Sequence, residues 1–229
     1  MIAITHPIKQ MINSQHGFLS SMLDFYPYLV NDWIEKQKKE VEELAREYAE
    51  GDDEVYWDTY NSEISRIDSC YDEEQLFNQA MLIMVYSYYE SFLCRLAKEC
   101  GLNVKTDARP SSIAKAHDNT IEGEYLKIST FLHEKLLPLR NELCHNNNGT
   151  LYSREEDNER AIAELERKGY ISICDDGISI IDRSFIRKVL DGEHKLLLKL
   201  SEICGFKTQW HTFKDGKHII YDKYEEIEK

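Results

Sequence analysis

The stretch Gln75–Leu96, QLFNQAMLIMVYSYYESFLCRL, is a strongly apolar part of the chain and determines the class of fold. At about 100° per residue, its large side chains group on two sides of a helix. One side carries Leu82, Val85, Tyr89, Phe92 and Leu96, and the other carries Leu76, Ala80, Ile83, Ser87, Glu90 and Cys94. A helix that is apolar on two sides is expected to be buried, so Glu90 is a carboxylate where a carboxylate is costly.

Helical periodicity also runs through most of the remaining chain. We expect this central helix to begin near Asp72 and to end at Gly101. A hairpin of two earlier helices is predicted, the first interrupted near Pro27. After a long loop over residues 102–119, further helices are predicted at about 121–145, 155–168 and 184–204. Asp175-Asp176-Gly177 indicates a β-hairpin at about 170–181.

These elements predict an all-α helical bundle with a small β-hairpin insertion. We divide the chain into an N-terminal helical extension packed on the bundle (1–71), the helical domain itself (72–205) and a C-terminal tail (206–229) whose pattern indicates no particular structure.

The composition limits the classes of function. The chain has 28 basic and 42 acidic residues, a formal net charge of −14, so a bulk electrostatic footprint for nucleic acid is missing and DNA binding is not expected. No apolar run approaches the roughly 20 residues of a membrane span. The six cysteines contain no CxxC pair, and the first residues lack a signal-peptide pattern, which indicates a cytoplasmic chain with free thiols.

No cofactor is expected from the motifs present. His133, His194, His211 and His218 do not follow the spacing of metal ligands, and Asp175-Asp176 is more simply a turn, so we predict no bound metal. Neither GxGxxG nor GxxxxGK occurs among the 10 glycines, which argues against a nucleotide-binding loop.

The segment Leu139–His145, LRNELCH, combines a core stripe with a polar surface. Leu139 and Leu143 continue the stripe of a helix, while Asn141 and His145 are i, i+4 neighbours on roughly the opposite side. Arg140 flanks the stripe and diverges from His145 by about 140°. If two copies met across a two-fold axis through this face, both arginines and both histidines would share one cleft.

Such a cleft could cleave RNA without a metal. His145 could remove the proton of the 2′-hydroxyl or protonate the leaving 5′-oxygen, since an imidazole pKa near 6.5 suits either role. Arg140 could neutralise charge on the phosphoryl oxygens, and Asn141 could orient the phosphate or the imidazole. Lys105, Arg109 and Lys115 make the long loop locally basic and are possible RNA-binding residues.

Arg-Asn-x-x-x-His at the end of a bundle helix, preceded by an apolar helix that ends Tyr-Tyr-Glu-Ser-Phe-Leu, resembles the HEPN superfamily. The resemblance covers roughly residues 72–204. It implies a homodimeric metal-independent endoribonuclease that leaves 2′,3′-cyclic phosphate and 5′-hydroxyl ends, with Arg140, Asn141 and His145 as catalytic residues and Glu90 in support. It also implies a role in toxin-antitoxin or antiviral defence systems, with an antitoxin or other regulatory protein as partner. Pro138 departs from the pattern, because a proline inside a helix changes its direction.

Other interpretations of the same residues remain open. Arg140 and His145 could simply cap a helix end, and Glu90 could form a structural ion pair with Arg140. Both interpretations predict that Glu90 lies close to Arg140. A catalytically silent HEPN-like scaffold that binds a partner is the alternative function.

Overall fold

The computed structural model describes residues 2–145, 156–174, 177–214 and 217–221. Helices dominate this part of the chain. They are α1 (Pro7–Ala49), α2 (Asp53–Glu99), α3 (Val104–Asp107), α4 (Pro110–Lys115), α5 (Gly123–Phe131), α6 (Leu137–His145), α7 (Glu156–Arg167) and α8 (Arg183–Ile203). The strands are β1 (Ile2–Thr5), β2 (Ile171–Cys174), β3 (Gly177–Ile180), β4 (Thr208–Lys214) and β5 (Lys217–Tyr221). The predominantly helical character and the predicted hairpin are confirmed, and the structure adds a second small sheet.

A single long helix, α2, replaces the two helices predicted between residues 57 and 101. The Asp52 side chain caps its first turn by accepting from the backbone N–H groups of Glu54 and Val55. Neither glycine nor proline occurs along its 47 residues, so nothing in the backbone interrupts it. The predicted helix start at Asp72 is therefore wrong, and the division between residues 71 and 72 falls inside α2.

The first helix also continues where an interruption was predicted. α1 runs for 43 residues through Pro27. A proline removes one backbone hydrogen bond, and packing against neighbouring helices can offset that loss. Here α1 packs on both α2 and α8.

The main core lies where α2 crosses α1 and α8. Leu82 and Val85 of α2 are fully buried, as are Ile12 of α1 and Leu196 of α8. The outer half of the α1–α2 hairpin has a smaller core around Ile34. The apolar side chains of the Gln75–Leu96 stretch thus hold α2 at the centre of the bundle.

Residues 102–119 are more ordered than the predicted loop. Asn103 caps α3 through its side chain, and Pro110 occupies the first turn of α4. Ile113 and Ala114 of α4 are fully buried. The segment therefore forms part of the bundle wall.

A π-helical turn over Leu132–Leu136 joins α5 to α6, and Pro138 is the second residue after it. Proline has no N–H to donate to the preceding turn, so a locally wider turn accommodates the missing hydrogen bond. The sequence predicted a change of helix direction at Pro138. The structure instead has a change from α-helix to π-helix just before Pro138. Leu132, Leu136 and Leu139 remain fully or almost fully buried along one side.

The described residues form two small antiparallel sheets. The predicted hairpin is β2–β3, with Ile171 opposite Ile180 and Cys174 opposite Gly177. The second sheet has the order β1-β4-β5 and joins the two ends of the chain, with Thr5 opposite Thr208. Local pattern gave no prediction of this sheet, because its first pairing is between residues some 200 positions apart.

Among the described residues, no helix combines the length and the apolar character needed to cross a bilayer.

Candidate functional site

The Arg140 side chain joins α6 to α2. One terminal nitrogen, Nη2, donates to Glu90 Oε2 over 2.8 Å, and the other, Nη1, donates to Asn141 Oδ1 over 2.9 Å. The guanidinium carbon lies 5.6 Å from the centre of the Tyr86 ring, within the range of a cation–π contact. The guanidinium is therefore fixed by a carboxylate, an amide and an aromatic face.

One donor of this guanidinium is not used. Arg140 Nε is buried and has no hydrogen-bond partner among the described residues. A buried donor without an acceptor is costly, and such groups often occur where a ligand or water completes the bonding. Arg140 thus retains capacity for an additional acceptor.

Glu90 is the more accessible member of the pair. Its side chain is 41% exposed, against 24% for Arg140. Exposed ion pairs contribute little to stability, whereas a partly desolvated charge-assisted bond holds its geometry better. The pair therefore lies at a boundary, with its carboxylate toward solvent and its guanidinium toward the core.

A second carboxyl lies nearby in the core. Glu193 of α8 is fully buried, and neither of its oxygens has a hydrogen-bond partner in the described part of the chain. Burial, and then the charge of Glu90, raise the pKa of Glu193 well above its usual value. Burial thus favours the protonated form of Glu193, and Glu90 is the carboxylate that bonds to Arg140.

Three buried tyrosines of α2 lie close enough to Glu193 to interact with its charge. Burial is the largest cause that raises the pKa of Tyr86, Tyr88 and Tyr89, so all three phenols stay protonated. The Tyr88 hydroxyl donates to the carbonyl of Ile12 over 3.3 Å. These rings pack in the core, as their helical spacing predicts.

A cleft of about 530 Å³ opens beside Glu90. Lys105 and Arg109 line one side of it, and His133 and Glu134 of the π-helical turn line another. The structure therefore brings together three of the predicted site residues, namely Glu90, Lys105 and Arg109. The ring of Tyr86 also lines the cleft, so Arg140 lies directly behind its wall.

Lys115 is not among the residues that line this cleft. It is the last residue of α4 and is exposed. Its charge therefore lies apart from the basic side chains at Lys105 and Arg109.

His145 is the last residue of α6, and its side chain lies outside the described residues. The backbone of His145 belongs to the same regular helix as Arg140 and Asn141, after the π-helical turn that ends at Leu136. Asn141 and His145 are one turn apart, and Arg140 diverges from His145 by about 140°.

His133 and Glu134 also line the cleft, although the local sequence pattern did not predict this position for them. Their exposure follows from the π-helical turn, which changes the angular position of every residue within it. A proline two residues beyond an otherwise regular helical pattern is the only sequence signal for such a turn.

The cleft itself offers no evident metal centre. Its described carboxylates and histidine do not form a group of three side chains whose ligand atoms converge. The ionisable groups that line the cleft include two carboxylates, one lysine, one arginine and one imidazole, and the guanidinium of Arg140 lies behind the Tyr86 ring.

Comparison with protein-family models, with curated proteins and with solved structures finds no match for this chain. The functional argument therefore depends on the residues of the site themselves.

Proposed function

We propose that this chain is a HEPN-like metal-independent endoribonuclease that acts as a homodimer. The observation that carries the proposal is the arrangement of Arg140, which is held by Glu90 and Asn141 and stands on the helix that ends at His145. An arginine held in place before the substrate arrives can stabilise a phosphoryl transition state without reorganisation.

The reaction would be an attack within the RNA strand. The 2′-oxygen forms a bond to the adjacent phosphorus as the bond to the 5′-oxygen breaks, which leaves a 2′,3′-cyclic phosphate and a 5′-hydroxyl. The proton of the 2′-hydroxyl passes to a base, and an acid protonates the leaving 5′-oxygen. No metal-activated water is required, since the nucleophile belongs to the substrate.

The dimer supplies the acid and the base together. Each chain contributes one His145, and the two proton transfers need one neutral and one protonated imidazole. A two-fold interface through the Asn141 and His145 face would bring both imidazoles and both Arg140 side chains to one substrate. The imidazole pKa near 6.5 lets both forms coexist near neutral pH.

The cleft suits an incoming RNA backbone. Lys105 and Arg109 supply local positive charge in a chain of net charge −14, so RNA would be guided by a small patch and not by the whole surface. The unused Arg140 Nε–H can donate to a further oxygen atom. Growth arrest or antiviral defence under a neutralising partner protein is the biological role that the resemblance supports.

A catalytically silent scaffold is the second candidate function. It is favoured by the same ion pair, since a guanidinium already bonded to Glu90 and Asn141 is also a good structural element. The acidic surface would then suit a basic protein partner.

The end chemistry of the products distinguishes these candidates. Purified dimer is incubated in EDTA with an RNA and with the 2′-O-methyl form of the same strand. The nuclease proposal predicts cleavage of the unmodified RNA alone, with cyclic phosphate at the new 3′ ends. Products that carry 5′-phosphate would contradict the mechanism, and no cleavage by a folded dimer would favour the scaffold.

A further inference from the structure

Three metal-binding side chains converge at the end of the bundle remote from the Arg140 site. Cys100 follows the last residue of α2, His117 lies just after α4, and Cys204 follows the last residue of α8. Cys100 Sγ lies 3.2 Å from His117 Nε2 and 3.6 Å from Cys204 Sγ. All three ligand atoms lie within 4.8 Å of one another.

Two of these separations are close to those of a tetrahedral zinc centre. With zinc–sulfur bonds of about 2.3 Å, tetrahedral geometry puts two sulfur atoms about 3.8 Å apart. With a zinc–nitrogen bond of about 2.0 Å, a sulfur and an imidazole nitrogen stand about 3.5 Å apart. The two shortest separations in the cluster fall within a few tenths of an ångström of these values.

The local backbone also favours a cation at this position. α2 and α8 end in the same way, each with a cysteine followed by a glycine in the left-handed region, at φ +70° for Gly101 and +78° for Gly205. The next residue in each case donates its N–H back into the last turn, from Leu102 to the Ala97 carbonyl and from Phe206 to the Ser201 carbonyl. Two helix C-termini, each with partial negative charge, thus meet at the cysteines.

We propose that Cys100, His117 and Cys204 bind one zinc ion per chain, with water in the fourth position. Two thiolates and one imidazole form a soft donor set that prefers zinc over magnesium or calcium. Binding releases the two thiol protons to solvent, and the neutral imidazole coordinates through Nε2. His117 is exposed and the two cysteines are half-buried, so the ion has a path from solvent.

The zinc would act as a structural clasp. It ties the ends of α2 and α8 to the segment that carries α3 and α4, which supplies Lys105 and Arg109 to the cleft. Cys100 is ten residues beyond Glu90 on the same rod, a separation of about 15 Å, so the ion does not reach the reacting groups. The inference is therefore independent of the proposed nuclease.

The sequence pattern did not predict this site. Sixteen residues separate Cys100 from His117, and 86 residues separate His117 from Cys204, so no short spacing marks the cluster. The expectation of a chain without bound metal depended on local spacing alone.

The test is metal stoichiometry on the full chain. Reduced protein is stripped with chelator, reloaded with zinc and freed of excess ion, and zinc per chain is measured by atomic emission. Wild type is expected to hold one equivalent. Cobalt loading is expected to give the thiolate charge-transfer and tetrahedral d–d absorption bands.

His117→Ala and Cys204→Ser are the informative variants, with His133→Ala and Cys144→Ser as matched controls. Loss of one ligand is expected to weaken zinc binding more than about 100-fold, while the controls bind as wild type does. His117 is exposed, so its variant keeps the fold even if Cys204→Ser does not.

Two outcomes would overturn the proposal. The first is zinc binding that is equal in wild type and His117→Ala. The second is no binding by the reduced chain, with peptide mapping of the untreated chain showing a Cys100–Cys204 disulfide. Neither outcome bears on RNA cleavage, so failure here and failure of the nuclease are separable.

Discussion

The guanidinium of Arg140 donates to the carboxylate of Glu90 over 2.8 Å, and this bond connects the helix that ends at His145 to the central helix of the bundle. Glu90 is the more exposed partner, and it also faces the cleft that Lys105 and Arg109 line. A substrate phosphate that reached this cleft would meet the carboxylate first. Glu90 is thus placed to set the position of Arg140, and we assign it a positioning role within the proposed mechanism.

Glu90→Gln is expected to lower kcat for RNA cleavage about tenfold or more with little change in KM, because the amide holds the guanidinium less firmly. The measurement is initial-rate kinetics on one short RNA over a range of concentrations. A purely structural ion pair predicts a lower Tm with kcat per folded dimer unchanged. That result would contradict the positioning role.

Lys105→Ala and Arg109→Ala are each expected to raise KM. Each is also expected to reduce the slope of log KM against log salt concentration by the amount that corresponds to the loss of about one phosphate contact. The physical reason is that each side chain lines the cleft and can neutralise one phosphate. Lys115→Ala is the matched control, since Lys115 lies outside the cleft lining. Equal effects of all three variants would show that the charge acts through the general surface.

Replacing the buried Glu193 with methionine is expected to stabilise the protein. Its carboxyl is fully buried without a hydrogen-bond partner in the described chain, and Glu193→Met removes that cost, about 1–3 kcal/mol at pH 7. Because the folded pKa of Glu193 is raised, the folded chain keeps a proton that the unfolded chain releases as pH rises through the unfolded value.

The gain in stability from Glu193→Met should therefore become smaller as the pH is lowered toward the pKa of a glutamate in the unfolded chain. The free energy of unfolding in urea, measured at pH 7 and near pH 4.5, gives this difference between variant and wild type. The control is Glu202→Met, because Glu202 is an exposed glutamate on the same helix. A destabilised Glu193→Met at pH 7 would mean that the carboxyl has a partner essential to the fold.

A histidine pair between α1 and α8 predicts a loss of stability in mild acid. Burial, and then the neighbouring His16, lower the pKa of His194 to about 4 from its usual 6.5. His194 lies 2.9 Å from Asn13 Oδ1, and its ring stacks on His16, which contacts Asp191. Between these two pKa values His194 binds a proton in the unfolded chain but not in the folded chain. The free energy of unfolding therefore falls as the pH drops from about 6.5 to about 4.

His194→Gln is expected to flatten that part of the stability profile, because glutamine does not titrate. The measurement is the free energy of unfolding at several pH values between 7 and 4, with the exposed His133→Gln as control. If stability depends on pH with the same slope in His194→Gln as in wild type, other groups cause the loss of stability in acid.

The sequence predicted those parts of the fold that depend on local pattern. The apolar half of α2, the leucine-rich α8 and the hairpin around Gly177 follow from periodicity and turn residues. It did not predict that α2 continues through Asp72, since a capping residue also fits a helix interior when no glycine or proline breaks the backbone. The sheet that pairs Thr5 with Thr208 depends on long-range contact and has no local signal.

The candidate site also combines features that could be predicted from the sequence with features that depend on tertiary packing. The closeness of Glu90 and Arg140 was expected both from the resemblance and from a structural ion pair, and the 2.8 Å bond agrees with that expectation. The cleft positions of His133 and Glu134 depend on a π-helical turn, and the convergence of Cys100, His117 and Cys204 depends on where three segments end. Tertiary packing determines both, so a single sequence does not reveal them.

The central claim is that Arg140 and His145 cleave RNA without a metal. Its most direct test compares wild type, His145→Ala and Cys144→Ser at matched dimer content on a mixed RNA pool in EDTA, with the new 3′ ends resolved. We predict cyclic-phosphate ends from wild type and from Cys144→Ser, and none from His145→Ala. Cleavage by His145→Ala at the wild-type rate, or no cleavage by any of the three folded dimers, would contradict it.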